Sequence, residues 1–167
     1  EYGNNRFFIY LLQKEGITTC PVLRDTGVVY TYIPPFVTNS RINSGFLKFS
    51  SNNKYLLHMF LGENITSPFR RFELYEFDNS NANFRLYTKI FYDRVAWGAE
   101  FSSNSENIIY TDRDSFTSIF NIKSKNKRLL NFKLNSTDNV PYLQYANDGN
   151  IFLGKNDSTF VGIIKNS

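Results

Sequence analysis

The residues that most often carry catalysis are scarce in this sequence, which has one histidine, His58, and one cysteine, Cys20. A Ser-His-Asp triad needs a histidine base, and common zinc sites use several His or Cys ligands. Cys20 and His58 also fall in different predicted sheets, which disfavours a nucleophile–base pair. His58 ends a predicted inner strand, where we predict a hydrogen-bonded structural role. We therefore expect a noncatalytic chain with no catalytic residue, no metal site and no cofactor.

Carboxylates are more plentiful, and the pair Asp112 and Asp114 flanks Arg113 directly after a predicted strand. Asp-x-Asp patterns occur in calcium loops, but an EF-hand loop needs further oxygen ligands and a downstream Glu at a set spacing. Residues 111–115 lack these, so the segment is predicted to be a charged turn. Neither the GxGxxG nor the GxxxxGK[ST] phosphate-binding pattern occurs.

Composition indicates one β-rich domain. The 167 residues include 17% aromatic and only 20% charged side chains, and Phe and Tyr favour strands. The net charge of +4 is spread along the chain apart from residues 123–128, which are predicted to form a solvated turn. A nucleic-acid surface would combine such charge with exposed aromatic rings across one face, so we expect no nucleic-acid partner. No apolar run approaches 18 residues, so no membrane insertion is expected.

The elements that position these residues form a repeat. Residues 45–57, 98–110 and 142–154 each show an apolar–polar alternation, a small polar turn and a second apolar run. Such a pattern predicts a β-hairpin. The aromatic residues Phe49, Phe101 and Tyr145 occupy the same place in each copy, 52 and 44 residues apart. A second alternating hairpin follows each of the first two copies. This period predicts the four-stranded antiparallel blades of a β-propeller.

The predicted fold class is therefore all-β, a WD40/YVTN-like propeller segment of about three blades. It would comprise an outer hairpin of a preceding blade at 6–24, blades at 45–91 and 97–134, and a partial blade at 141–164. Since a closed propeller needs at least about four blades, we expect a fragment of a larger propeller whose remaining blades act as partners. The predicted core consists of Phe46, Phe49, Leu56, Leu74, Tyr75, Phe77, Phe101, Ile109, Phe120, Tyr145 and Ile151.

Four ordered segments carry a family resemblance: residues 45–56 (GFLKFSSNNKYL), 73–79 (ELYEFDN), 96–104 (AWGAEFSSN) and 143–152 (LQYANDGNIF). They resemble the elements G-x-L-K-x-S-P-D-G-x-x-L, x-L-Y-x-F-D-N, x-Y-G-x-E-F-S-P-D and L-Q-x-x-P-D-G-x-I-Y. These belong to WD40-like propellers of surface and secretion-associated bacterial proteins, of the type IX secretion and gliding-motility type. Ser51, Ser103 and Asn147 replace the usual proline. The resemblance implies an extracellular or cell-surface location, with the periplasm as the alternative.

The resulting functional prediction is an interaction or scaffold module that offers loop tips or the channel mouth to a protein or glycan. The alternative is a regulatory propeller domain of a multidomain enzyme such as a peptidase. A lactonase-like propeller enzyme would need converging carboxylates from several blades. The predicted interaction surface consists of Tyr30, Tyr32, Phe36, Arg70, Arg71, Trp97, Asp112 and Arg113.

Overall fold

A computed structural model describes residues 5–27, 45–60, 71–91, 96–112, 116–133, 142–146, 148–154 and 161–165. All regular structure in these ranges is extended. The strands are β1 (Arg6–Ile9), β2 (Leu12–Gln13), β3 (Gly16–Ile17), β4 (Val22–Asp25), β5 (Gly45–Phe49), β6 (Tyr55–Phe60), β7 (Arg71–Asp78), β8 (Asn83–Phe91), β9 (Ala96–Phe101), β10 (Asn107–Asp112), β11 (Phe116–Asn121), β12 (Lys127–Lys133), β13 (Tyr142–Tyr145), β14 (Ile151–Gly154) and β15 (Gly162–Ile164).

Three antiparallel sheets follow one another along the chain, and each is built in sequence order. The first sheet has the order β5-β6-β7-β8, and the second has the order β9-β10-β11-β12. The third sheet contains β13, β14 and β15 in the same order. Before them, β1 pairs with β4, and the short pair β2–β3 extends this hairpin towards its turn. In the connections that the structure describes in full, at 50–54, 79–82, 102–106 and 122–126, a polar turn joins two neighbouring strands into a hairpin.

Equivalent residues of the three sheets point in equivalent directions because strand side chains alternate between the two faces. Phe49 and Phe101 pair with Leu56 and Ile108, which places these aromatic rings on one face of their sheets. Lys48 and its equivalents Glu100 and Gln144 point to the other face. Their cross-strand partners are Leu57, Ile109 and Phe152. We call the face of Phe49, Phe101 and Tyr145 the leading face and the opposite face the trailing face.

The sheets stack face to face and form three cores. The main core joins the trailing face of the first sheet to the leading face of the second, and its members are Leu57, Met59, Phe72, Leu74, Ile90, Ala96, Ala99, Phe101, Ile108, Tyr110, Phe120 and Ile122. Ile109 on the trailing face of the second sheet packs against Leu143, Ile151 and Leu153 of the third. Phe7 and Ile9 of β1 pack against Leu56, Tyr75 and Phe84, on the leading face of the first sheet.

Most of the predicted core is buried, and Phe49 is the exception. Leu56, Leu74, Tyr75, Phe101, Ile109, Phe120 and Ile151 are buried, whereas Phe46, Phe77 and Tyr145 are partly buried. Phe49 is 49% exposed, so its prediction as a core residue was wrong. Its equivalent Phe101 is 2% exposed because the first sheet covers it. On the leading face of the first sheet, Phe7 and Ile9 of β1 pack against Leu56, Tyr75 and Phe84, and Phe49 stays half exposed.

Candidate functional site

A groove lies where the first strands of the three sheets come together. It has a volume of about 360 Å³ and is lined by Leu47, Lys48, Phe49, Ser51, Glu100, Phe101, Ser102, Gln144 and Tyr145. These residues come from β5, β9 and β13 and from the turns that follow them. Each strand is the innermost of its sheet in the repeat, so the groove lies on the side where the sheets converge.

Lys48 and Glu100 form an ion pair that joins all three inner strands. Lys48 Nζ donates to Glu100 Oε2 at 2.5 Å and to the carbonyl oxygen of Leu143 at 2.7 Å. The side chains are 20% and 6% exposed, respectively. Glu100 Oε2 also accepts the backbone N–H of Tyr145 at 3.0 Å, and Oε1 accepts that of Phe101 at 3.0 Å. A buried carboxylate requires such partners, so this clasp holds three consecutive sheets in one arrangement.

The Lys48–Glu100 ion pair, which we call the clasp, determines which chemical groups of the groove remain accessible. Lys48 and Glu100 are the charged side chains among its described lining residues, and they are bound to each other. A general acid or base needs a proton-transfer group that can reach a substrate, and this carboxylate already accepts three hydrogen bonds. The exposed residues of the lining are Leu47, Phe49, Ser51 and Gln144. Apolar side chains beside an amide and a hydroxyl group can contact a bound ligand.

The turns at the mouth of the groove bind one another. Ser51 Oγ donates to the carbonyl oxygen of Ser103 at 2.8 Å and shares a hydrogen bond with Ser105 Oγ at 2.8 Å. Ser105 Oγ also accepts the N–H of Asn52 at 3.3 Å. Ser51 replaces the proline usual in the resembling family, and its hydroxyl links the first sheet to the second. This end of the groove therefore presents backbone and hydroxyl groups at fixed positions.

All three inner hairpins use one turn geometry despite their different sequences. The fourth turn residue has a positive φ in each: Asn53 at 56°, Ser105 at 58° and Gly149 at 87°. The N–H of each residue donates to the carbonyl oxygen three positions earlier, at 2.9, 2.8 and 3.0 Å, respectively. Glycine adopts positive φ without strain, and asparagine tolerates it better than most residues. The absence of glycine from the first two turns therefore leaves the hairpins intact.

A second polar cluster lies under the β1–β4 hairpin. Tyr75 Oη donates to Glu73 Oε2 at 2.5 Å, and His58 Nδ1 lies 3.8 Å from the same oxygen. Both Glu73 and Tyr75 are buried. Gly27 closes over this cluster, where a Cβ atom would lie 2.5 Å from Tyr75 Oη. The aromatic ring of Phe7 packs edge-on against His58. This cluster is closed by packing and fixes the hairpin to the first sheet.

Ionised side chains outside the groove act locally. Arg6 beside Asp25 lowers the pKa of that carboxyl group, chiefly through a side-chain hydrogen bond. Hydrogen bonds from Ser80 lower the pKa of Asp78, and those from Asn150 lower the pKa of Asp148. Burial raises the pKa of Tyr55. These shifts follow from ordinary turn and pair contacts, so they mark no further site.

One lysine of the turn at residues 123–128 contacts the first sheet. Lys125 has a φ of 57°, and its Nζ lies 4.5 Å from the centre of the Tyr87 ring. Tyr87 Oη donates to the carbonyl oxygen of Ile122 at 3.2 Å. The turn therefore adds a cation–π contact to the interface between the first two sheets.

The structure describes no side chain of the predicted interaction surface. Tyr30, Tyr32, Phe36, Arg70 and Arg113 lie outside the described residues. Arg71, Trp97 and Asp112 lie in β7, β9 and β10, respectively, and the structure describes only their backbone. Their role stays a prediction. In the part of the chain that is described, no three His, Cys, Asp or Glu side chains group as metal ligands would.

Sequence reasoning missed Lys48, Glu100 and Gln144. A signal was present, because each directly precedes the repeated aromatic residue Phe49, Phe101 or Tyr145. Lys48 and Glu100 carry opposite charges at equivalent positions of consecutive repeats, and the structure pairs them between sheets.

Comparisons with known proteins identify the fold. No protein-family model matches the sequence, and no curated protein matches it. A protein provisionally assigned as a 6-phosphogluconolactonase from Bacteroides uniformis matches 99% of this chain with a TM-score of 0.66 and 10% identity. The β-propeller domain of Cps50 (Swd1) from Myceliophteria thermophila matches 73% with a TM-score of 0.58 and 11% identity. An auxiliary nutrient binding protein from Bacteroides thetaiotaomicron matches 70% with a TM-score of 0.53 and 9% identity.

The stack of four-stranded antiparallel sheets is a β-propeller fold, as the repeat predicted. This chain spans 46%, 40% and 27% of the length of those three structures, respectively. Identities of 9–11% relate the folds alone. No helix in the described ranges is long and apolar enough to span a membrane.

Proposed function

We propose that this chain is a noncatalytic interaction module, and that it binds a peptide or glycan in the groove between β5, β9 and β13. The observation that carries the proposal is the convergence of three inner strands on a groove whose charged side chains neutralise each other. The aromatic ring of Phe49 offers an apolar contact, and the amide of Gln144 offers both a donor and an acceptor. A sugar ring and a peptide backbone both present this combination of apolar and polar groups.

We further propose that the module works in an exported or cell-surface bacterial protein. The support is the resemblance of residues 45–56, 73–79, 96–104 and 143–152 to propellers of secretion-associated proteins. Fractionation of the source cells tests this location. Recovery from the medium or the outer surface is the expected result, and recovery from the cytoplasm alone would contradict it.

Binding is tested with an array of immobilised oligosaccharides and peptides, probed with the labelled chain. Gln144→Ala removes one hydrogen-bonding group from the groove, worth about 1 kcal/mol, so we expect roughly fivefold weaker binding to any retained probe. Gln13→Ala is the matched control, because Gln13 is exposed on β2. The proposal fails if no probe is retained, or if both variants weaken binding equally.

The noncatalytic assignment has its own test. The chain is incubated with sugar lactones and with peptide substrates, and product formation is compared with the uncatalysed rate. We expect no acceleration. Turnover that Glu100→Gln abolishes while the fold is retained would show that the groove is an active site.

A further inference from the structure

The positive charge of this protein is concentrated in one hairpin. Strands β11 and β12 and the turn between them, residues 116–133, contain five Lys or Arg residues and no Asp or Glu. The hairpin therefore has a net charge of +5, whereas the whole chain has +4, so the remaining residues sum to −1. Four of the five cations lie close together in the sequence: Lys123, Lys125, Lys127 and Arg128. We call this segment, residues 123–128, the basic turn.

The basic turn is held in one conformation by neutral side chains. Asn121 Oδ1 accepts hydrogen bonds from the N–H and the Oγ of Ser124, both at 2.9 Å. The N–H of Asn121 donates to the carbonyl oxygen of Asn126 at 2.9 Å, and its Nδ2 donates to Asn107 Oδ1 at 3.0 Å. Residues 123–128 are all exposed. The cations thus lie at the surface on an ordered backbone, which lowers the entropy lost when a ligand binds.

The conformation of this turn does not require lysine. Lys125, the fourth residue after β11, has a φ of 57°, and Ala82, the fourth residue after β7, has a φ of 52°. The outer turn of the first sheet, residues 79–82, contains no charged residue. It is closed in a similar way, since Asp78 Oδ1 accepts the N–H and the Oγ of Ser80. Positive charge is therefore an addition to a turn that folds without it.

Carboxylates do not neutralise the basic turn within the described ranges. Exposed arginines elsewhere pair with carboxylates, as Arg85 does on β8. Among the described residues, no such pair involves Lys123, Lys125 or Arg128. Lys125 instead contacts the ring of Tyr87, and a cation–π contact leaves the charge of the ammonium group in place. These charges are therefore accessible to an anionic ligand.

The basic turn lies apart from the groove. It joins β11 and β12, the third and fourth strands of the second sheet, whereas the groove is lined by first strands. The N–H of Ile122 donates to the carbonyl oxygen of Glu106 at 2.9 Å, so the outer turn adjoins the inner turn of the same sheet. The carboxylate of Glu106 accepts the amide of Asn104 at 3.0 Å. The second sheet packs between the first and the third, so neighbouring sheets fix the position of this surface.

We propose that the basic turn binds an acidic polysaccharide, whose sugar units carry sulfate or carboxylate groups. Short Lys- and Arg-rich segments bind polyanions through their summed charge. Lysine is a point charge that needs no fixed geometry, which suits a flexible chain of repeated anionic groups. Ser124 and Asn126 alternate with the lysines, and their hydroxyl and amide groups suit the hydroxyl groups beside each acidic group of a sugar chain.

The turn is less suited to other polyanions. Single-stranded nucleic acid stacks its bases on accessible aromatic rings, whereas the described ring beside the turn, Tyr87, is occupied by Lys125 at 4.5 Å. Peptide recognition commonly uses an apolar pocket or a strand edge, whereas every side chain of the basic turn is charged or polar. An acidic polysaccharide needs neither a free ring nor an apolar pocket.

Fluorescence anisotropy of labelled oligosaccharides tests the proposal, with dextran sulfate and oligogalacturonate as acidic probes. We expect one or both to bind at low salt and to bind more weakly as the salt concentration rises. Lys123→Gln combined with Arg128→Gln should lower the slope of log affinity against log salt by roughly 1.5, because each neutralised contact contributes slightly less than one. Neutral dextran is the control probe, and neither salt nor these substitutions should change its binding.

Lys14→Gln combined with Lys89→Gln is the matched control, because it removes the same charge from two exposed lysines elsewhere in the chain. This variant should keep the slope of the unchanged chain, and circular dichroism checks that both variants fold. No binding of either acidic probe, or an equal loss in the two variants, would overturn the proposal. Binding of polyglutamate or of duplex DNA as tight as that of the acidic sugars would also overturn it and assign the turn to an acidic peptide or a nucleic acid.

Discussion

The strands β5 and β9 hold the same place in consecutive repeats, yet their central aromatic residues have opposite environments. Phe101 of β9 is 2% exposed within the main core, whereas Phe49 of β5 is 49% exposed. The two strands pair with the next strand of their sheets in the same register, Phe49 opposite Leu56 and Phe101 opposite Ile108. The difference arises because the first sheet covers Phe101, whereas the β1–β4 hairpin packs against Leu56, Tyr75 and Phe84 and leaves Phe49 half exposed.

The comparison shows that burial in a stacked fold is decided by the neighbouring sheet rather than by the strand itself. A period of two indicates which residues share a face, but it does not say whether that face is covered. The same rule accounts for Lys48. Its side chain is only 20% exposed and is ion-paired because the following sheet supplies Glu100, while Gln144 has no equivalent partner among the described residues.

The largest expected effect comes from truncating the two aromatic residues. Phe101→Ala removes a fully buried ring and should lower the free energy of unfolding by about 3–5 kcal/mol. Phe49→Ala removes a half-exposed ring whose described aromatic contact is Phe77, at 5.1 Å between ring centres, and should cost about 1 kcal/mol. Urea denaturation of dilute protein measures both values. Equal losses would break the comparison.

The clasp should show the next largest effect. Lys48→Met leaves the buried carboxylate of Glu100 without its charged partner, so we expect a loss of about 2 kcal/mol in the free energy of unfolding. Arg85→Met is the matched control, since the Arg85–Glu76 pair lies on the surface of the first sheet. Solvent screens such a pair, and its removal should leave the urea midpoint nearly unchanged. If Arg85→Met lowers the free energy of unfolding as much as Lys48→Met does, the Lys48–Glu100 pair contributes no more to stability than a surface pair.

The inner turns give a smaller and graded effect. Gly149 has a φ of 87°, so Gly149→Ala should cost about 1 kcal/mol through backbone strain. Gly149→Asn should cost less, because Asn53 adopts the same turn position in the first sheet. Gly154→Ala is the control, since a Cβ atom there would make an ordinary contact of 3.7 Å with Tyr142 Cβ. Thermal unfolding compares the three variants, and equal midpoints would contradict the shared turn geometry.

The smallest effect is a dependence on pH that should appear in only one of the three inner turns. Asn52 Oδ1 accepts the N–H of Lys54 in the first turn, and Asp148 Oδ1 accepts the N–H of Asn150 in the third. The hydrogen bonds from the backbone and side chain of Asn150 lower the pKa of Asp148 from its ordinary value of 3.8. Its stabilisation is therefore fully present above that value and is lost as the pH falls through the lowered pKa.

Amide chemical shifts measured by NMR during an acid titration check this prediction. The Asn150 amide should titrate with the carboxyl group of Asp148, and the Lys54 amide should not. Titration of both amides at the same pH would indicate general acid unfolding instead.

The hairpins and the order of the sheets were predictable because alternation and turn residues are local signals. The shared turn geometry was less apparent, since Asn53 and Ser105 occupy the positive-φ position that glycine marks in the third copy. The groove was missed because it depends on contacts between sheets. Lys48 and Glu100 are 52 residues apart, and neither looks unusual in its own strand. Phe49 was assigned to the core by analogy with Phe101. Whether another sheet covers a strand position cannot be predicted from the sequence of that strand.

The most direct test of the account compares the solvent exposure of Phe49 and Phe101 in solution. Each is replaced in turn by 4-fluorophenylalanine, and the shift of its fluorine NMR signal between H₂O and D₂O is measured in dilute protein. The account predicts a solvent shift at residue 49 and none at residue 101. Equal shifts at both residues in dilute protein would contradict the claim that the neighbouring sheet decides burial in this fold.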